Sequence, residues 1–167
     1  SGNTTVAIGK DALNDQTSGN FNCAVGVEAL SKITSGNQSA AFGIYAGRYN
    51  TGSSNVALGY KAMEGSDGSS DGNYHVIIGE KAGLDMTSAN YCTFVGYRAG
   101  KDITDGNNNT FIGALAGSAT NSGTYYNTFI GYSAGSQNGN GNQNVFIGAN
   151  AGIFNEAWDN VFVGNYN

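Results

Sequence analysis

The sequence predicts an all-β protein, a parallel β-solenoid (β-roll) of about ten coils of 16–20 residues, and three observations lead there. The first is a glycine that closes the same short pattern ten times, at Gly9, Gly26, Gly43, Gly59, Gly79, Gly96, Gly113, Gly131, Gly148 and Gly164. The intervals are 17, 17, 16, 20, 17, 17, 18, 17 and 16 residues, and they fill the chain from end to end. The second is a set of apolar columns that stays in register through all ten copies. The third is an alanine three residues after the glycine in all nine complete units, from Ala12 to Ala151. A small residue at a fixed place in each coil marks a tight inside corner. Residues 1–167 therefore read as one elongated repeat domain.

Positions counted from the closing glycine define the strand of each unit. Position −3 is largely β-branched (Val6, Val56, Val76, Thr93, Thr110, Thr128, Val145, Val161), which favours a pleated strand. Position −1 is never polar, running from Ile8 through Phe42, Leu58 and Ile130 to Val163, and reads as a core column. Position −2 lies on the opposite face of the strand and changes character along the chain. It is Ala7, Ala24, Ala41 and Ala57 in the first four units, then Ile77, Phe94, Phe111, Phe129, Phe146 and Phe162. Stacked coils turn those phenylalanines into a ladder of rings. If the ladder points inward, the cross-section must swell toward the C-terminal end. If it points outward, it is an apolar stripe that wants a partner. Ile77, Phe94, Phe111, Phe129, Phe146 and Phe162 are thus the candidate assembly face.

Between the strands lie turn residues. Thr17–Asn20, Thr34–Asn37, Thr87–Asn90 and Thr104–Asn107 repeat a Thr-x-Gly-Asn frame, glycine supplying left-handed backbone and Asn and Thr supplying side-chain bonds. Ala89 replaces that glycine once, a point of strain if φ is positive there. The long connector from Glu64 to Gly72 absorbs the 20-residue interval as a surface loop. Asparagine recurs at position −4 (Asn22, Asn55, Asn109, Asn127, Asn144, Asn160), where stacked amides can bond along the axis. Segments such as Val27–Ile33 are faintly helical, but the frequent glycines forbid helices longer than a turn.

Composition narrows the function. Twenty-seven glycines, no proline and 11% charged residues suit repeated tight turns and uninterrupted ladders rather than an ordinary globule. A net charge of −5 with scattered basic residues speaks against nucleic acid and anionic membrane surfaces as partners. The longest apolar run, around Ala40 to Ala46, is far too short to cross a bilayer. Cys23 and Cys92 fall four coils apart, roughly 19 Å at about 4.7 Å per coil, so no bridge between them is expected.

No motif here reads as a catalytic or metal centre. Gly131-Tyr132-Ser133-Ala134-Gly135 matches a nucleophile elbow in form, but the same frame carries Arg98 and Leu115 in neighbouring units, so Ser133 fills a variable slot. His75, the sole histidine, replaces an asparagine of the −4 column and lies about three coils from Ser133. Asp67 and Asp71 on the long connector lack the spacing of known calcium loops. No cofactor or metal is expected, and the protein reads as a non-enzyme. Of ten tyrosines, Tyr60, Tyr97 and Tyr132 share position +1, and Tyr74, Tyr91 and Tyr126 share position −5. Tyr60, Tyr97 and Tyr132 are candidate surface aromatic contacts, suited to sugar stacking or to a subunit interface. Thr93, Thr110 and Thr128 raise ice binding as a distant third reading.

Units such as Thr5-Val6-Ala7-Ile8-Gly9-Lys10-Asp11-Ala12 and Asn55-Val56-Ala57-Leu58-Gly59-Tyr60-Lys61-Ala62 resemble the head repeats of trimeric autotransporter adhesins. The form Asn-Thr-Phe-Ile-Gly-x-x-Ala-Gly is similar to repeats of phage tail-fibre proteins. The resemblance spans essentially the whole chain. It implies a left-handed roll, trimerised along its length, outside the cell or on a virion, as a fibre shaft or adhesin head that attaches to a host-surface glycan or protein. The uncapped ends, where the chain opens inside a turn and stops at Gly164–Asn167, point to the alternative, a filament of subunits stacked end to end.

Overall fold

In the computed structural model, residues 4–66, 70–120 and 123–165 are described, and they form a single parallel β-solenoid with no helix among them. Ten three-residue strands make one sheet in simple chain order: β1 (Val6–Ile8), β2 (Cys23–Val25), β3 (Ala40–Phe42), β4 (Val56–Leu58), β5 (Val76–Ile78), β6 (Thr93–Val95), β7 (Thr110–Ile112), β8 (Thr128–Ile130), β9 (Val145–Ile147) and β10 (Val161–Val163). Each strand is the three residues before a closing glycine. The register is one-to-one, so that Phe94 lies over Phe111 and Phe111 over Phe129. About nine complete turns separate the ten rungs.

The closing glycine is demanded twice over. Gly59 has a φ of 133°, which side chains avoid, and a Cβ there would lie 2.7 Å from the Gly79 carbonyl oxygen of the next coil. Two turns follow it. Ala62 N–H donates back to Gly59 O at 3.3 Å, and four residues on the pattern repeats, as in Ile103 N–H to Gly100 O at 3.2 Å. The alanine that closes the first turn is fully buried in eight coils, from Ala29 to Ala151, which is the inside corner expected of it.

The strand faces are sorted differently from the expectation. Position −2 points into the coil, and Ile77, Phe94, Phe111, Phe129 and Phe146 are completely buried within the single chain. These rings stack face to face, with centroids 4.7–5.0 Å apart and planes within 12° through Phe162, which is partly covered at the last rung. They hold the coil together and are not available as an assembly face. Position −1 is not a core column; it points outward, with Ile8, Phe42, Leu58, Ile112 and Val163 among the exposed large apolar residues.

Nor does the coil need to swell. Where position −2 is phenylalanine, position +4 is glycine, and where position −2 is alanine in coils one, two and four, position +4 is Leu13, Leu30 or Met63, all buried. The two positions share one volume. Coil three has both small, Ala41 and Gly47, and the Leu30 side chain of the coil before reaches into the gap.

The turns carry an unusual backbone load. Among the described residues, all twenty-one non-glycine residues with positive φ fall at positions −5, +2 and +4. By contrast, the connector glycines Gly19, Gly36 and Gly106 are not in that region. They are glycine because a Cβ would run into the carbonyl of the next coil. Ala89 shares that ordinary backbone, is buried, and carries no left-handed strain.

Candidate binding surfaces

Two ladders of side-chain amides run along the turns beside the strands, in opposite senses. In the buried ladder at position −4, the backbone N–H of each coil donates to the side chain of the coil before: Ser39 N to Asn22 Oδ1 (2.9 Å), Asn144 N to Asn127 Oδ1 (3.0 Å), Asn160 N to Asn144 Oδ1 (2.9 Å). The amide nitrogens donate onward to the next coil, Asn22 Nδ2 to Gly36 O and Asn55 Nδ2 to Gly72 O. In the second ladder, at position −6, the N–H of each coil donates to the coil after: Asn20 to Asn37 Oδ1, Asn73 to Asn90 Oδ1 and Asn90 to Asn107 Oδ1. The asparagines of this column were read only as turn formers in the sequence.

His75 sits in the buried ladder and reproduces an asparagine with its ring. Its Nδ1 accepts the Cys92 N–H at 3.2 Å, which leaves Nε2 to donate to Ala89 O at 2.8 Å. Burial lowers its pKa from 6.5 to about 4, against the raising effect of the Ala89 and Cys92 bonds, so the ring is neutral. Cys92 continues the column by donating Sγ–H to Gly106 O at 3.2 Å, and burial pushes its thiol up to about 12. Cys23 and Cys92 are both free thiols. Ser133 has a nearly covered side chain on a left-handed turn (φ 51°). Among the described residues no group of three or more His, Cys, Asp or Glu could hold a metal ion. Asp67 lies outside the described residues, as do residues 68 and 69 of the long connector. On the described part of that connector, Ser70 is buried and donates its hydroxyl to Met86 O at 2.9 Å.

The outer face of the sheet is open to a partner along all ten rungs. Positions −3 and −1 of all ten strands point out of it, and they comprise only Val, Ile, Leu, Phe, Ala, Cys and Thr. Thr93, Thr110 and Thr128 occupy three successive rungs of this face. No charged side chain interrupts it from β1 to β10.

Aromatic side chains flank that face at both edges. Tyr60, Tyr97 and Tyr132 are exposed but do not touch one another, because Glu80 and Ala114 occupy the same column between them. Tyr60 lies among Tyr45, Lys61 and Lys81, and Arg98 covers Tyr97 at 5.0 Å. Beyond Tyr60 the cluster continues through Arg48, which pairs with Glu28 at 2.6 Å and stacks over Tyr45 and Tyr49. At the other edge, Tyr74 and Tyr91 stack at 5.0 Å with planes 3° apart, and Asn108 separates them from Tyr126.

Near the C-terminal end a cleft of about 220 Å³ is lined by Tyr125, Tyr126, Asn142, Gln143 and Trp158. Of these, only Tyr126 had drawn notice in the sequence. A signal was there: position −6 reads Asn20, Asn37, Ser53, Asn73, Asn90, Asn107, Tyr125, Asn142, Trp158, with two rings in a column otherwise made of small polar groups.

The class defined by this architecture is a parallel β-solenoid with one three-residue strand per coil and an uncharged outer sheet face. No family model, curated protein or solved structure significantly matches the chain.

Proposed function

We propose that this chain is a non-enzymatic structural segment of an extracellular or virion fibre, a shaft or adhesin head that works in attachment, whose copies associate along the outer face of the sheet. The observation that carries the reading is that face: a parallel sheet with apolar, charge-free side chains on every rung and no layer of the described residues over it. Parallel sheets are ordinarily covered on both faces, and exposed apolar patches beyond a few hundred Å² mark contact sites. A second copy suits the stripe because its rungs repeat at the same spacing along the whole length. Three copies around one axis is the arrangement that the adhesin and tail-fibre resemblance implies.

Light scattering on the purified chain tests this, with three chains per particle expected. Ile112→Lys and Ile130→Lys, both on the outer face, should release monomers whose circular dichroism is unchanged. A wild-type chain that stays monomeric at high concentration would overturn the assembly, and thermal hysteresis in such a monomer would turn attention to ice and the Thr93, Thr110, Thr128 rungs.

A second reading is a filament of copies stacked end to end, in which β10 of one copy pairs with β1 of the next and continues the one-to-one parallel register of the sheet. A further copy stacked in this way would extend the solenoid, as would more of the same chain. Threads of uniform width that lengthen with concentration in negative-stain micrographs would support end-to-end addition.

A further inference from the structure

We propose that the cleft formed by Tyr126, Trp158, Gln143, Asn142 and Tyr125 is a binding site for a neutral saccharide. The inference gives the attachment reading a partner chemistry and rests on that reading for its purpose, but the site lies within one chain.

Three observations point to it. Position −6 is the outer amide ladder, in which each side chain accepts the N–H of the coil before. Tyr125 and Trp158 have no carboxamide or hydroxyl oxygen at that place, so the ladder is given up in two coils to set rings on either side of Asn142. Breaks of a local rule of this kind are expected where a site is functional. Second, the rings are held in place yet open. Trp158 Nε1–H donates to Asn140 O at 3.1 Å, while Trp158 and Tyr126 remain 62% and 61% exposed. Tyr126 and Gln143 sit at left-handed position −5 with φ of 60° and 59°. Third, the polar groups at the cleft are amides and phenols. Asn142 Oδ1 is held by the Tyr125 N–H, and Gln143 is exposed, its side chain making no hydrogen bond to the described residues.

Flat apolar rings beside carboxamides match the two kinds of surface on a pyranose, the C–H face and the ring of hydroxyls. No charged residue lines the cleft, Asp159 follows Trp158 in the chain, and the protein carries a net charge of −5. Sialylated and sulfated sugars are therefore disfavoured.

Trp158 is the only tryptophan, so its emission reports this cleft alone. The intact 167-residue chain would be titrated with malto-, cello-, manno- and N-acetylchito-oligosaccharides, and with sialyllactose and a proline-rich peptide as controls. At least one neutral series should shift Trp158 emission saturably, and Tyr126→Ala and Gln143→Ala should each weaken binding by about tenfold at unchanged melting temperature. Saturation-transfer NMR on Trp158→Ala, which lacks the reporter, should show the sugar signal lost. The proposal is overturned if no neutral series binds, if only the acidic sugar or the peptide does, or if binding survives these substitutions. A chain that proves monomeric yet binds sugar would sink the assembly face and spare this site; a trimer that binds none would do the reverse.

Discussion

The Phe94 ring occupies the space that a side chain at Gly100 would need: a Cβ on Gly100 would lie 2.5 Å from Phe94 Cε2. The same relation holds between Phe146 and Gly152, and its mirror image, a small residue on the strand with a large one six positions later, appears in Ala24 and Leu30. Each coil but the third therefore supplies one large side chain at this level, from either wall, and in the third Leu30 of the coil before fills the space.

This exchange is testable as a double-mutant cycle. Phe94→Ala should cost about 3–5 kcal/mol, as for a phenylalanine removed from a packed core. Gly100→Leu should cost at least as much, because the new side chain meets the ring. The double variant Phe94→Ala/Gly100→Leu rebuilds the arrangement of the second coil and should recover about 2 kcal/mol or more relative to additivity. Guanidinium unfolding of the four proteins measures it; additive losses would refute the shared volume.

His75 should make the fold acid-sensitive. Its folded value is depressed from 6.5 to about 4, so the fold favours the neutral ring. The stability this represents is fully present above pH 6.5 and is lost as pH falls from 6.5 toward 4, because the unfolded chain takes up the proton first. The interval corresponds to about 3 kcal/mol. His75→Asn, which restores the column's usual residue, should flatten that stretch of the stability–pH curve, and an unchanged slope would show that the ladder does not hold the ring neutral.

Gly59 closes the fourth coil against the Gly79 carbonyl. Gly59→Ala should destabilise by about 2–4 kcal/mol, combining left-handed strain with the separation of two coils. Hydrogen exchange should show the loss centred on β4 and β5, and protection unchanged there would argue against close stacking at the glycine.

Gln38 is exposed at left-handed position −5 with a φ of 60°. Gln38→Gly relieves a backbone that glycine accepts freely and should raise stability by about 1 kcal/mol, whereas Gln38→Val should lower it by a similar amount or more. Thermal unfolding compares the two, and a stabilising valine would contradict the assigned conformation.

Much of this architecture is legible without coordinates. The period marks the coils, the three residues before each glycine are the strands, and the alanine column is the inner corner, because a repeat must place like residues in like environments. His75 was likewise readable as a ladder member from its column alone. The outer ladder and the Tyr125–Trp158 cleft escaped because their signal is a departure from a column whose role had not been assigned.

What the sequence determined by itself is the stack: its period, its strands, its position −4 asparagine ladder and the absence of charge on either strand face. What only the tertiary structure decided is which apolar face is inside. On a three-residue strand with apolar side chains on both sides, alternation distinguishes two faces but cannot orient them. The turns do that, by bringing Gly100 and its counterparts opposite Phe94 and its neighbours, and so they bury the phenylalanines and leave the valine, isoleucine and threonine face to the solvent or to a partner.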